Sequence, residues 1–407
     1  MSLSQYIKYS FTTHKGAAEL LIALAWASPI LGYVKAIVLR LPFGEVFGEI
    51  LVPIIFFVLL CMSFSYLSKF FRGSDFLFVL LLFTGYLLQY ILFPANEEVL
   101  DEYFLPLFLT VIPMFFIGVA IDIKDIFKLF YILSIVCVLL QAINTLFFET
   151  TERLSDFEDR AQMYEAYKLL PHVVFCFWGW LKKFNVFSLL VSLLGLFLLF
   201  SFGSRGPVAC VLLFVALYVL LFKLFKGKII VVLLLGILAA VIVLYSDVIM
   251  LALQNLLSQL GLNIRIIRLL TEGESAIIDS SGRDELSEIL IRQLDITPIF
   301  GHGIGGTWKF IGAYSHSIIL DFLISFGLIP GMLLLLSILY IIIKGYRACK
   351  TVEEKGFLLV LICCFAKLFI SYTFLSDPSW TLLLGYCVGV IRRNRNQGVI
   401  LAKLNSL

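Results

Sequence analysis

The sequence predicts an all-α integral membrane protein of about twelve spans, with one large external loop of short helices. Three observations carry that reading. Of 407 residues, 61% are hydrophobic and only 14% charged, against roughly 45–50% and about 25% in a soluble domain. The mean hydropathy of +1.02 is sustained from end to end. Apolar runs recur at the length of roughly 20 residues that a hydrocarbon core about 30 Å thick requires. A water-soluble enzyme on a single anchor, a disordered chain and a nucleic-acid-binding protein are excluded, and the net charge of +3 is too small to call for a polyanionic partner.

The predicted spans are 17–34, 48–67, 76–93, 104–121, 129–148, 169–181, 186–202, 206–222, 229–247, 315–343, 356–376 and 379–391. The sixth is short and is expected to start earlier or to tilt. Sixteen mixed residues precede the first run and Glu19 lies inside it, which favours a retained signal anchor over a cleaved peptide. Placed on alternate sides, 19 of the 31 lysines and arginines fall on one face, among them Lys69, Arg72, Lys124, Lys344, Arg392 and Arg393. The excess of positive charge marks that face as cytoplasmic, with both termini on it. Cys61, Cys137, Cys176, Cys210, Cys363, Cys364 and Cys387 lie in apolar runs and Cys349 among cations, so free thiols are expected.

The chain reads as one polytopic domain, 1–407, whose long external loop, 248–314, covers a cavity. Residues 256–270 alternate apolar positions with Arg265 and Arg268, as in a helix lying on the membrane surface. Ser280-Ser281-Gly282-Arg283 then leads into a predicted helix at 284–294, a turn at Pro298 and Gly301-His302-Gly303-Ile304-Gly305-Gly306. No strand precedes this glycine run, so it reads as a flexible turn lining the cavity, not a nucleotide loop.

Chemistry concentrates at three positions on the external face: Arg205, Arg283 and His316. Arg205 sits in the turn Ser204-Arg205-Gly206-Pro207, where a charge at the bilayer edge must snorkel, face water or pair with an anion. Arg283 follows Ser281 and Gly282, whose backbone amides can converge with its guanidinium on one anion; the fork is suited to phosphate. His316 opens span ten, a position equally natural for a helix cap. Arg292 lies on the same predicted helix as Arg283 and is either a phosphate contact or a solvated charge. Arg160, in the external segment before span six, can guide a donor. Lys367, in the middle of span eleven, must face a cavity or a partner, and Asp321 is the partner the sequence offers. Tyr164, Tyr167, Trp308, Tyr314 and Tyr372 can stack on sugars or belong to the interfacial belt.

Ser204-Arg205-Gly206 between two spans, Ser281-Gly282-Arg283 opening a helix, Pro298-Ile299-Phe300-Gly301-His302-Gly303, and His316-Ser317 followed by Gly327-Leu328-Ile329-Pro330-Gly331 resemble, in this order, the O-antigen polymerase and O-antigen ligase superfamily. The likeness is strongest over roughly 201–331. Pro330 and His302 depart from the pattern. The resemblance implies a membrane glycosyltransferase that takes an undecaprenyl-diphosphate-linked oligosaccharide as donor on the periplasmic face, with a flippase and a chain-length regulator as partners. Arg205 and Arg283 would then stabilise the departing diphosphate without a metal or other cofactor. Substrate contacts would come from Arg292, Arg160, Ser281, Gly282, Tyr314 and Lys367. His316 would take the proton of the acceptor hydroxyl, kept neutral by nearby guanidinium charge and partial burial, and the anomeric centre would invert.

Four other readings compete. A glycosidase or a metal-dependent transferase needs clustered carboxylates, and Glu97, Glu98, Asp101 and Glu102 form the one external group, better read as an acidic turn. A lipid-linked oligosaccharide flippase or transporter would suit twelve spans, yet the chain shows no two similar halves. A ligase would use the same donor chemistry on a lipid A core acceptor. Ala313-Tyr314-Ser315-His316-Ser317 with Asp321 resembles polymerases of repeat-unit polysaccharides more than ligases.

Overall fold

The computed structural model describes residues 9, 12–27, 29–30, 44–147, 157–183, 186–202, 205–222, 283–294, 299 and 301–404. Among the described residues the structure is helical, with no strand. In chain order the helices are α1 His14–Trp26, α2 Gly44–Leu67, α3 Gly73–Leu92, α4 Glu97–Pro106, α5 Ile112–Ala120, α6 Ile123–Phe147, α7 Phe157–Lys183, α8 Val186–Ser201, α9 Arg205–Leu221, α10 Arg283–Leu294, α11 Gly306–Ile311, α12 Ile318–Phe326, α13 Leu328–Ala348, α14 Val352–Ala366 and α15 Ser379–Leu404. By length and composition, four described stretches can cross a bilayer: Gly73–Leu92, Pro94–Ala120, Ile123–Thr145 and Leu328–Ala348. The predicted ninth span, 229–247, and the loop from 248 to 282 lie outside the described residues.

The apolar surface agrees with lipid as solvent. On α3, Phe76, Leu77, Leu80, Leu81 and Ile91 point outward, and on α13 Leu333, Leu336 and Tyr340 do the same. In water such faces would be an aggregation liability; in hydrocarbon they are solvated. Cys61 is likewise exposed, whereas the other seven cysteines are buried free thiols.

By its internal contacts the chain divides into two units. The first comprises the described parts of Met1–Ile22, Ile54–Ile126 and Gly282–Leu407. At its centre α5 lies against α15 with almost no side chain between the backbones. A methyl group on Gly385 would strike the Phe115 carbonyl, one on Gly389 would strike that of Val119, and one on Gly118 would strike that of Leu382. Gly385 and Gly389 stand four residues apart, the small-residue spacing that allows close approach where no hydrophobic effect drives helices together. Between α4 and α5 the chain makes a π-turn, Leu107–Val111, flanked by Pro106 and Pro113, which have no amide to give to a helical ladder. The hydroxyl of Thr381 on α15 donates to the Val111 carbonyl at 2.5 Å and ties the turn to its neighbour.

The second unit comprises the described parts of Ala23–Pro53 and Phe127–Ser281. Here α7 packs on α8 and α9, with Val173 filling the space that Gly195 leaves. As expected, α7 begins well before 169. Trp26 stacks on Phe130 at 4.9 Å and donates from Nε1 to Ser134 Oγ at 3.1 Å. That hydroxyl also meets His172 Nδ1 at 3.3 Å.

Two predicted spans are interrupted. Span ten, expected at 315–343, breaks at Gly327 into α12 and α13, because Gly327 has φ +91 and ψ 166, a region essentially confined to glycine. A Cβ there would collide with the carbonyl of Ile299. Span eleven, expected at 356–376, ends as a helix at Ala366 and continues through a 3₁₀ turn, Lys367–Phe369, into irregular chain up to Ser379. Hydropathy registered the apolar content of both stretches and missed the backbone breaks inside them.

Candidate functional site

In the first unit, two largely irregular segments, 301–317, which includes the short α11, and 367–378, meet around α12. The glycine run is not the flexible turn expected. Gly301, Gly303 and Gly305 have φ of +71, +82 and +82, and this alternation aims successive backbone groups to opposite sides. On one side His302 N donates to Ile324 O and Gly303 N to Ser325 O, both at 2.9 Å. On the other, Asn96 Nδ2 donates to the carbonyls of His302 and Ile304 at 2.9 and 3.0 Å, and Ile304 N donates to Gln89 Oε1 at 3.0 Å. The run therefore works as a strap fixing α12 to the junction of α3 and α4. The His302 ring lies 4.9 Å from Phe310, and burial, aided by the Lys309 charge, holds its pKa below the ordinary histidine value.

Beyond the strap, α11 runs between left-handed caps at Gly305 and Gly312 and delivers the chain to Ser315-His316-Ser317. This tripeptide closes on itself: Ser315 Oγ donates to Ser317 O at 2.7 Å and accepts from Ser317 N at 3.1 Å. Asp321, one turn into α12, holds the loop from below by accepting from Ser315 N through Oδ1 at 3.1 Å. Its Oδ2 is buried outside hydrogen-bonding geometry. His316 occupies the apex with φ +56, a conformation that costs a non-glycine residue about 1–3 kcal/mol and recurs at functional sites. Its Nδ1 is buried, while the residue as a whole is partly exposed.

An aromatic row leads to His316. The Tyr314 ring is 4.3 Å from the imidazole, Trp308 is 6.0 Å from Tyr314, and Tyr103 on α4 is 5.5 Å from Trp308. All four rings are partly exposed. Tyr103 was missed in the sequence because it sits about 200 residues from its partners, with nothing to separate it from the other tyrosines and the 39 phenylalanines of the chain.

The other predicted site residues scatter. Lys367 does not pair with Asp321. Its ammonium lies 2.6 Å from Asp377 Oδ2, with the lysine side chain 10% and the aspartate 1% exposed, and 5.2 Å from the centre of the Tyr372 ring. The sequence missed Asp377 because Lys367 was placed inside a helix, where a partner is sought three or four residues away or on another helix; with α14 ending at Ala366, the chain turns back and residue 377 comes within reach. A lysine so enclosed is a structural ion pair rather than an exposed donor for substrate. Arg292 is exposed and pairs within its own helix to Glu288 at 2.5 Å, as a solvated charge does. Arg160 lies in the first turns of α7, not in a loop, and Arg205 opens α9 in the second unit; neither side chain is among those described. Arg283 is the first residue of α10, which packs on α11 and α12 with Leu290 fully buried, so its backbone belongs to the unit that holds His316, though its side chain is outside the description. Ser281 and Gly282 lie outside the described residues. The acidic group at 97–102 is exposed on α4, with Asp101 accepting from the Tyr90 hydroxyl at 2.8 Å.

No protein-family model matches the chain, and no curated protein or solved structure matches it.

Proposed function

We propose that this chain is a membrane glycosyltransferase that polymerises undecaprenyl-diphosphate-linked repeat units of a surface polysaccharide on the periplasmic face of the bacterial inner membrane. The reading carries with it a GT-C-like bundle of about twelve spans, both termini cytoplasmic. The observation that supports it best is the left-handed His316 at the apex of a hydroxyl-closed loop, set at the end of the row Tyr103, Trp308 and Tyr314. Aromatic faces bind the apolar faces of sugars, and a row of them ending at an imidazole is a track that presents a sugar hydroxyl to a base.

In the reaction, an acceptor hydroxyl oxygen attacks the anomeric carbon of the donor and the bond from that carbon to the diphosphate oxygen breaks. The hydroxyl proton passes to His316, with Nε2 the nitrogen assigned because Nδ1 is buried. The polyprenyl diphosphate leaves with the bonding electrons, its charge met by Arg283, whose helix belongs to the same unit as His316. Attack by one acceptor with one base inverts the anomeric configuration.

The test is polymerisation by the purified full chain in nanodiscs with a defined undecaprenyl-diphosphate repeat unit, for wild type, His316→Ala and Arg283→Ala. A product ladder lost in the folded variants supports the proposal. Transfer only after a lipid A core acceptor is added would reassign the chain as a ligase. Donor flipping in liposomes without transfer would make it a transporter, and retention at the anomeric carbon would overturn the one-base mechanism.

A further inference from the structure

A second site stands apart from His316, at one end of the first unit. A cavity of about 200 Å³ is lined by Lys69, Phe70, Arg72, Val119, Gly389, Arg392 and Arg393. Its position follows from the fold. Lys69 and Arg72 lie in the connection between α2 and α3, Val119 at the end of α5, and Gly389 with the two arginines on α15. Both candidate spans, Gly73–Leu92 and Pro94–Ala120, therefore have a terminus at this cavity, which puts it at a boundary between hydrocarbon and water.

The charge around it is one-sided. Four cations line the cavity, no carboxylate is among its lining residues, and Asp75 adjoins it through Arg392. Asp75 is already engaged: its two oxygens accept Arg392 Nη1 and Nη2 at 2.7 and 2.6 Å, and Oδ2 also takes the Arg72 amide at 2.9 Å. It fixes the Arg392 fork in place and neutralises one charge of the four. Arg393 spends one N–H on the Val119 carbonyl at 3.2 Å. Among the described residues no carboxylate is within ion-pair distance of Lys69, Arg72 or Arg393. Gly389 and Val119 both line the cavity, and their helices approach so closely there that a Cβ on Gly389 would strike the Val119 carbonyl. Beside it, Phe76 and Leu77 on the first turn of α3 face outward, so an acyl chain can follow α3 while its headgroup reaches the cations.

We propose that this cavity binds a phosphate group at the bilayer boundary. Basic pockets between helix ends take anionic headgroups, and guanidinium forks suit phosphate oxygens. A phosphatidylglycerol headgroup and free inorganic phosphate share this chemistry, and the two sources are separable by experiment. The proposal is independent of the reaction assigned to His316.

The test is native mass spectrometry and thermal unfolding of the full chain, titrated with phosphatidylglycerol, phosphatidylcholine or inorganic phosphate. Wild type is compared with Lys69→Gln/Arg72→Gln and with Lys344→Gln/Lys350→Gln, which removes the same charge elsewhere. Loss of two charge-assisted hydrogen bonds is expected to weaken binding at least about tenfold in the first double variant and to leave the second near wild type. Phosphatidylglycerol retained against excess phosphate assigns the site to lipid; saturation by phosphate without lipid preference assigns it to a soluble anion. Equal binding of both lipids with no effect of phosphate, or equal losses in the two double variants, overturns the proposal.

Discussion

Asp377 holds Lys367 at 2.6 Å through Oδ2 while Oδ1 accepts the amide of Ser379 at 2.7 Å and caps α15. One carboxylate thus ends an irregular stretch and starts the helix that packs on α5. Around the pair, Trp380 Nε1 donates to the Phe374 carbonyl at 2.9 Å and Phe374 lies 4.8 Å from Phe322 of α12, so the segment that contains the pair also supports the His316 loop.

Breaking the pair is expected to be costly. Lys367→Met or Asp377→Asn leaves one charge enclosed and uncompensated, an effect of about 3–5 kcal/mol, and the asparagine also weakens the cap. Thermal unfolding in detergent should show both single variants strongly destabilised. The double variant should recover part of the loss; if it is as unstable as the sum of the two, the charges are not coupled.

His316 is expected to separate activity from stability. His316→Gly releases the left-handed strain, so its unfolding temperature should equal or exceed that of wild type, while a general base is worth roughly 10²–10⁴ in rate. A folded His316→Gly protein that polymerises at the wild-type rate would remove the histidine from the mechanism.

Two glycines with positive φ should respond differently to alanine. Gly327→Ala meets both the Ile299 carbonyl and a forbidden backbone region, and should lose about 3 kcal/mol or more. Gly312 has φ +64 and ψ 14, with open space where a Cβ would go, so Gly312→Ala should lose only about 1–2 kcal/mol. Chemical unfolding of the two side by side tests the order.

Glu354 gives a pH dependence whose sign is fixed. Burial acts to raise its pKa, but the amides of Lys350 and Thr351 and the Lys124 ammonium at 3.3 Å outweigh it and hold the carboxyl below its ordinary value of 4.5. The folded state therefore favours the ionised form. The stabilisation is fully present above about pH 4.5, where the unfolded chain is ionised as well, and declines as pH falls through the lower folded value. Wild type should unfold at a higher temperature than Glu354→Gln at neutral pH, and the two curves should converge in acid; a gap that widens in acid would reverse the assignment.

The capping box at α14 is a local signal, Thr351 followed three residues later by Glu354, because a cap depends on residues adjacent in the chain. The same holds for the apolar helices, since roughly 20 apolar residues in a row have one economical conformation in hydrocarbon. His316 and Tyr314 could be singled out as well, being polar or aromatic groups gathered in one short segment. The sequence by itself thus determined an all-helical chain with helices apolar and long enough to cross a membrane.

What joins distant parts of the chain was decided only by the tertiary structure. Tyr103 joins Trp308, Asn96 clasps the carbonyls of His302 and Ile304, and Asp75 grips Arg392, each across more than 200 residues. No local pattern encodes these pairs, because each depends on which helix faces come together. The breaks at Gly327 and after Ala366 belong to the same class: hydropathy counts apolar atoms, whereas a left-handed glycine against a carbonyl and a buried lysine beside Asp377 follow from the space that neighbouring helices leave.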